Sequence, residues 1–115
     1  MKIDYVYAAV SSRDLEKSEE FYSKVLGRKP DDRPMKSLIQ WRDIAGAGVQ
    51  VFLDSKKAGN GAMTLVVPSA ARIKGSLESA GYECGEVQQG DFGKIVQVND
   101  PDNNVVTFAE PPKQA

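Results

Sequence analysis

One order of predicted elements occurs twice in this chain, and the repetition constrains the fold more than any other feature. Residues 2–10 are rich in β-branched and aromatic side chains, which predicts a strand. An amphipathic helix over 11–27 follows, and then further strands. The same order starts again about 55 residues later, with a strand at 62–67 and a helix at 68–81. Gly residues that typically end helices occupy corresponding places at 27 and 81, so the chain is predicted to be an internal repeat.

The remaining elements follow from caps, turns and alternation. Ser11 or Ser12 is expected to cap the first helix and Ser69 the second. Residues 28–34 are predicted as a loop, because prolines and charges are concentrated there. Further strands are predicted at 35–41, 48–54, 82–88, 93–100 and 103–110.

This order predicts an α+β fold made of two βαβββ units. With 115 residues, one domain over 1–115 is expected. Its first unit would span about 1–54, a link 55–61, and its second unit about 62–110. The helices are predicted to cover one face of each sheet, which leaves the other face free to form a cleft.

Composition argues against several classes of partner. The chain has 15 basic and 16 acidic residues and a net charge of -1, so neither nucleic acid nor a membrane surface is an expected partner. The N-terminus predicts a strand and not a secretory signal. The single cysteine, Cys84, cannot form an internal disulfide, so a cytoplasmic location is expected.

The chain contains no histidine. This absence argues against most metal sites and against Ser-His and Cys-His catalysis. Cys84 follows Glu83 and has no histidine to lower its pKa, so an inert thiol is expected.

Three features together resemble the glyoxalase, bleomycin resistance and extradiol dioxygenase superfamily, also called the vicinal oxygen chelate superfamily. They are the helix sequence DLEKSEEFYSKVLG, the motif FGKIVQVNDPDNN, and the duplicated βαβββ order. The resemblance covers nearly the whole chain. It implies paired βαβββ units whose sheets curl around a concave cleft, with the helices on the outer face, and it implies that a small single-domain member forms a homodimer.

In metal-dependent members, the resemblance implies four strand residues around one divalent ion, usually His or Gln, Glu, His and Glu. The matching positions here are Tyr5, Gln50, Ala62 and Thr107. A phenol, an amide, a methyl and a hydroxyl do not make a transition-metal site. Glu110 does not replace Thr107, because residues three apart on a strand point to opposite faces. No metal and no other cofactor is therefore expected.

The predicted ligand-binding residues combine aromatic rings with neutral hydrogen-bonding groups, which is typical of small-molecule sites. They are Tyr5, Tyr7, Trp41, Gln50, Phe52, Thr64 and Thr107. The same aromatic residues also fit packing in a sheet or in a dimer interface, so that interpretation stays open.

The leading hypothesis is a metal-free, homodimeric protein that binds or sequesters a small, partly aromatic organic molecule. Antibiotic-binding resistance proteins are the analogy, and no catalytic residue is needed for sequestration. One alternative is an enzyme, either a metal-dependent lyase, isomerase or dioxygenase with displaced ligands, or a metal-free catalyst that uses Tyr5 or Tyr7 as an acid. Another is a subunit whose aromatic face is covered by a protein partner.

Overall fold

A computed structural model describes residues 1–91 and 93–113, which form two four-stranded sheets and two helices. The chain divides into two compact units. The first is Met1–Gly61 with Pro101–Asn104, and the second is Ala62–Asp100 with Val105–Ala115. The expected α+β fold with two βαβββ units is confirmed. Phe92, which belongs to the FGKIVQVNDPDNN motif, lies outside the described residues.

The first unit is a mixed sheet with one helix. Its strand order is β1-β4-β3-β2, where β1 and β4 are parallel and the other neighbours are antiparallel. The elements are β1 Tyr7–Ser12, α1 Leu15–Leu26, β2 Asp32–Met35, β3 Leu38–Ile44 and β4 Ala47–Leu53.

The second unit repeats this topology, with strand order β5-β8-β7-β6 and a parallel pair at β5 and β8. The elements are β5 Ala62–Val66, α2 Ala70–Ser79, β6 Gln88–Gly90, β7 Gly93–Asn99 and β8 Val105–Glu110. Within 1–91 and 93–113, no helix is long and apolar enough to cross a membrane.

Each helix packs on one face of its own sheet. In the first unit α1 contacts β3 and β4, and Phe21, Tyr22 and Trp41 are fully buried there. In the second unit α2 contacts β7 and β8. The Glu110 carboxylate accepts a hydrogen bond of 2.9 Å from the Ala70 amide at the start of α2. Glu110 therefore lies on the helix side of its sheet, as strand alternation predicted.

The first helix begins later than the sequence predicted. Its cap is Asp14, whose carboxylate accepts hydrogen bonds from the Glu16 and Lys17 amides. Ser11 and Ser12 belong to β1 instead, so the predicted serine cap was wrong. Aspartate caps a helix as well as serine does, and the serines are used by the strand. The end of α1 expected at Gly27 and the cap of α2 expected at Ser69 are confirmed.

The predicted loop 28–34 was wrong at its end, because β2 begins at Asp32. This strand contains Pro34, and it lies at the edge of the first sheet, which is where a sheet tolerates proline. The predicted strand over 35–41 is divided by a turn, since β2 ends at Met35 and β3 begins at Leu38.

The strand predicted over 82–88 was also wrong. That segment forms only an isolated bridge between Cys84 and Val98, and β6 begins at Gln88. Conversely, the first strand begins at Tyr7 and not at residue 2. Strand limits are set by the available partners, which the sequence of a single segment does not reveal.

The turn at Pro101–Asn104 belongs to the first unit, and Asn104 bonds three main-chain groups of that unit. The Asn104 side chain is fully buried. Its Oδ1 accepts hydrogen bonds of 3.1 Å from the Gly59 amide and 2.8 Å from the Gly61 amide. Its Nδ2 donates to the Ser11 carbonyl at 2.8 Å. One amide side chain thus satisfies three main-chain groups.

Asp102 makes the second part of this network. Its Oδ1 accepts a hydrogen bond of 2.9 Å from the Arg13 amide, and its Oδ2 accepts one of 3.3 Å from the Ser18 hydroxyl. The Ser18 and Ser12 hydroxyl oxygens are 2.6 Å apart. Gly59 has φ 90°, and a Cβ there would lie 2.7 Å from the Asp102 carbonyl oxygen. Glycine is therefore required where the link passes the turn.

We expect Asn104→Ala to destabilise the protein by about 2–4 kcal/mol, because it leaves two part-buried amides without an acceptor. Urea unfolding of the variant and the wild type measures this difference. Asn60→Ala is the matched control, since Asn60 is exposed, and it should change the unfolding free energy by less than about 0.5 kcal/mol. Equal effects of the two substitutions would contradict the role given to Asn104.

Asp31 joins the loop after α1 to β3. Its Oδ2 accepts a hydrogen bond of 2.5 Å from the Arg42 amide and lies 3.0 Å from the Arg28 guanidinium. The backbone hydrogen bond from Arg42, helped by the Arg28 charge, lowers the pKa of Asp31 below its ordinary value of 3.8.

A carboxyl whose pKa is lower in the folded state stabilises the fold above its unfolded pKa and loses that contribution as the pH falls through the folded pKa. Asp31→Asn should therefore lower the melting temperature at neutral pH, and this difference should disappear below the folded pKa of Asp31. Melting temperatures measured from neutral to strongly acid pH check this, with the exposed Asp91→Asn as the control. A difference that persists at the acid end would show that charge is not its cause.

Candidate ligand-binding face

The face of the first sheet away from α1, called the first distal face below, carries most of the predicted site residues. In the parallel pairing of β1 with β4, Tyr7 lies beside Gly48 and Ala9 beside Gln50. The structure therefore brings Tyr7, Gln50 and Phe52 together on one face, as the resemblance implied.

The two tyrosines of this face form a fixed aromatic pair. Their ring centroids are 4.9 Å apart at an interplanar angle of 60°. The Tyr5 hydroxyl accepts a hydrogen bond of 2.5 Å from the Asp43 amide and donates one of 2.9 Å to the Ala47 carbonyl. Tyr5 lies before β1, so these bonds to the β3–β4 turn, and not strand pairing, hold its ring beside Tyr7.

Gly48 makes room for the ring of Tyr7. A Cβ at position 48 would lie 2.5 Å from two carbons of that ring and 2.9 Å from the Trp41 carbonyl oxygen. Glycine inside a strand often marks such a close approach. This signal was present in the sequence, although the sequence analysis did not use it.

A pair of glutamines lies beside the rings. Gln40 on β3 is directly opposite Gln50 on β4, and the Gln50 Nε2 donates a hydrogen bond of 3.0 Å to the Gln40 Oε1. Gln40 is only 8% exposed. Sequence reasoning missed Gln40 because it assigned the neighbouring Trp41 to this face.

The assignment of Trp41 to the face of Gln50 was wrong. Trp41 is directly opposite Val49, so it points toward α1, and it is fully buried. Its ring centroid lies 6.4 Å from that of Tyr22, and its indole nitrogen donates a hydrogen bond of 2.9 Å to the Arg28 carbonyl. The indole therefore packs in the core of the first unit, where its one polar atom is satisfied.

The corresponding face of the second sheet, away from α2, is called the second distal face. Thr64 lies beside Thr107 in the parallel pairing of β5 with β8, and Gln97 on β7 is opposite Thr107. The Gln97 Nε2 donates a hydrogen bond of 3.0 Å to the Thr107 hydroxyl oxygen. The last two strands of each unit thus carry a side-chain hydrogen bond at matching places, and in both a glutamine is the donor.

The residues at the four positions that the family resemblance implies for a metal do not fit a transition-metal ion. Gln50 and Thr107 bind neighbouring side chains, Tyr5 binds main-chain atoms, and Ala62 has no donor. Within residues 1–91 and 93–113, no group of three or more His, Cys, Asp or Glu side chains is placed to hold a metal.

Two other features lie apart from these faces. Burial, with a smaller effect of Glu78 opposed by Lys74, raises the pKa of Cys84 above its ordinary value of 9.0, so this thiol is protonated at neutral pH.

A groove of about 500 Å³ runs along the start of α2 and was not predicted. It is lined by Val67, Pro68, Ser69, Arg72, Ile73 and Ser76.

No protein-family model and no curated protein sequence matches the chain. Solved structures do match. A glyoxalase/bleomycin resistance protein from Catenulispora acidiphila DSM 44928 aligns with TM-score 0.82 and 23% identity over 94% of this chain and 98% of its own. TnmS3, an antibiotic binding protein from Streptomyces sp. CB03234, aligns with TM-score 0.82 and 21% identity over 97% of this chain and 99% of its own.

A third similar structure is named oxidase ChaP-H1, with TM-score 0.77 and 18% identity over 96% of this chain and 98% of its own. These identities are low, and the alignments run over nearly the full length of both chains. The protein therefore has the fold of glyoxalase/bleomycin resistance proteins, and the fold expected from the resemblance is confirmed.

We expect Gly48→Ala to destabilise the protein by about 1–3 kcal/mol, because the added methyl overlaps the Tyr7 ring and the Trp41 carbonyl. Gly75→Ala is the matched control. It lies in α2 with no atom within 4 Å of the added methyl, so it should stabilise the protein by about 0.5–1 kcal/mol. Thermal unfolding of both variants tests the contrast, and an unchanged or raised stability of Gly48→Ala would contradict the close approach of Tyr7.

Proposed function

We propose that this protein is a member of the glyoxalase/bleomycin resistance superfamily that binds a small, partly aromatic organic molecule without a metal ion. The observation that carries this proposal is the Tyr5–Tyr7 ring pair, in which Tyr7 packs against Gly48, together with the neighbouring Gln40–Gln50 hydrogen bond. Rings that are held in place supply apolar contact area at little entropic cost, and the amides supply orientation.

The residues proposed to contact the ligand form two groups. On the first distal face these are Tyr5, Tyr7, Gln50 and Phe52, and Thr64 and Thr107 are proposed separately as contacts on the second distal face. Trp41 is left out of the contact set, because it is fully buried on the α1 side. It supports β3 and β4 by packing in the core on their α1 side.

Similarity to TnmS3, which is named an antibiotic binding protein, supports a binding role. Sequestration needs no catalytic group, which agrees with the neutral side chains of the residues proposed for ligand contact. The similarity to a protein named oxidase supports the alternative of an enzyme, since one fold hosts both kinds of activity. The poor fit of residues 5, 50, 62 and 107 to a metal favours binding over metal-dependent catalysis.

We also propose that the protein is a cytoplasmic homodimer. Ile3 is 70% exposed and Val6 is 61% exposed, and both lie in the extended segment before β1. Apolar side chains this exposed and this close together are typical of a surface that a partner covers. Measurement of the mass in solution distinguishes a dimer from a monomer.

A thermal-shift screen against aromatic antibiotics and metabolites should find a stabilising compound. At 100 times its dissociation constant, such a compound should add about 2.7 kcal/mol of stability. Tyr7→Leu should weaken binding of that compound by about tenfold, because the ring contact is lost. Tyr82→Leu, outside both distal faces, is the control and should leave the affinity unchanged. An unchanged affinity in Tyr7→Leu would refute the proposed site.

Two further measurements separate binding from catalysis. Elemental analysis of the purified protein should find no stoichiometric transition metal, and the bound compound should be recovered chemically unchanged. One tightly held metal ion per chain, or conversion of the compound, would overturn the proposal in favour of the enzyme alternative.

A further inference from the structure

The glutamine pair on the first distal face has hydrogen-bonding groups left over. In the bond between Gln50 and Gln40, one amide N–H and one amide oxygen are used. The described residues provide no partner for the other oxygen, Gln50 Oε1, or for the other amino group, Gln40 Nε2. An amide side chain offers two donor hydrogens and an acceptor oxygen, so the pair still presents one acceptor and one amino donor on adjacent strands.

These leftover groups are accessible. The buried side-chain atoms without a partner are Ser23 Oγ and Asp32 Oδ1, among the described residues. Gln40 Nε2 and Gln50 Oε1 are not among them, so both atoms keep contact with solvent although Gln40 is only 8% exposed. A ligand on this face can therefore reach both groups without any movement of the strands.

The one charged residue directly opposite the pair is Asp32 on β2, which faces Gln40, and its carboxylate disfavours a second anion there. Leu38 and Phe52 form the next cross-strand pair on one side, and Ala9 lies beside Gln50 on β1. Arg42 projects from the same strand as Gln40 but is engaged by Asp32 at 3.3 Å. A carboxylate placed at the pair would lose hydration without gaining a free cation, which is costly. A neutral group with its own donor and acceptor would satisfy both leftover groups.

From this we infer that Gln40 and Gln50 determine specificity for a ligand with an uncharged amide edge, such as a lactam, an imide or a primary carboxamide. This inference rests on the proposed function and names the chemical class of its ligand. The ligand N–H donates to Gln50 Oε1, and its carbonyl accepts from Gln40 Nε2. The pair at Gln97 and Thr107 is more exposed, so water competes more strongly there.

Three aromatic probes of similar shape test this inference: benzamide, acetophenone and benzoate. Benzamide has a donor and an acceptor, acetophenone has only an acceptor, and benzoate is charged. Titration of the full chain by heteronuclear NMR should show benzamide binding about tenfold more tightly than either of the others, from its extra hydrogen bond. The side-chain amide signals of Gln40 and Gln50 should shift with benzamide.

Gln50→Met keeps the side-chain length and removes both amide groups, so it should abolish the preference for benzamide over acetophenone. If this variant does not fold, Gln40→Met tests the same point from the other strand. Gln89→Met, an exposed glutamine on β6, is the matched control and should keep the preference.

The outcomes separate the two proposals. Equal binding of benzamide and acetophenone on the first distal face would overturn the amide inference and leave the proposed binding function standing. Tighter binding of benzoate would also overturn the inference. If none of the three probes shifts signals from this face at about 10 mM, both proposals fail, because that concentration detects even millimolar affinity.

Discussion

The hydrogen bonds between the Pro101–Asn104 turn and the rest of the first unit are the interaction on which the other contacts of that unit depend. Asn104 and Asp102 are almost completely buried, and each bonds main-chain groups of the first unit. A buried polar group without a partner costs more than a made hydrogen bond contributes, so the members of such a network are strongly interdependent. The network fixes the end of β1, the start of α1 and the link before β5 at one point.

From that point the geometry of the first distal face follows. With the end of β1 fixed and the strand paired in parallel with β4, Tyr7 lies on Gly48 and Ala9 beside Gln50. The register of β3 then decides which side chain faces Gln50. A shift of one residue would exchange Gln40 for Trp41, and an amide surface would become an indole surface. The chemistry of this face is therefore a consequence of strand register as much as of composition.

The sequence predicted the architecture well, because the signals were periodic or local. The helix ends at Gly27, the cap at Ser69 and the alternation of β8 are each set by residues within a few positions. The failures share a different cause. Asp14 instead of Ser12 as cap, and Gln40 instead of Trp41 on the distal face, both depend on partners far away in the sequence.

The same distinction applies to the candidate site. Strand alternation placed Gln50 and Phe52 on one face of their strand, and the family resemblance added Tyr7 to that face. The sequence could not reveal that Gln40 accepts a hydrogen bond from Gln50, or that Gln97 donates one to Thr107. A cross-strand hydrogen bond depends on the register of two strands at once. Pro34 argued against a strand in the sequence, although an edge strand such as β2 tolerates proline and an inner strand does not. Whether a strand lies at the edge also depends on its partners.

The turn also has a consequence for the order in which the molecule is assembled. The bond between Asn104 and Ser11 joins residues 93 positions apart. Contacts this distant in sequence close large loops and slow the folding of a small domain. During synthesis the first unit cannot complete its network until residues 101–104 have been made, which is after β5, α2, β6 and β7 of the second unit. Until then the amides of Gly59 and Gly61 lack their Asn104 acceptor.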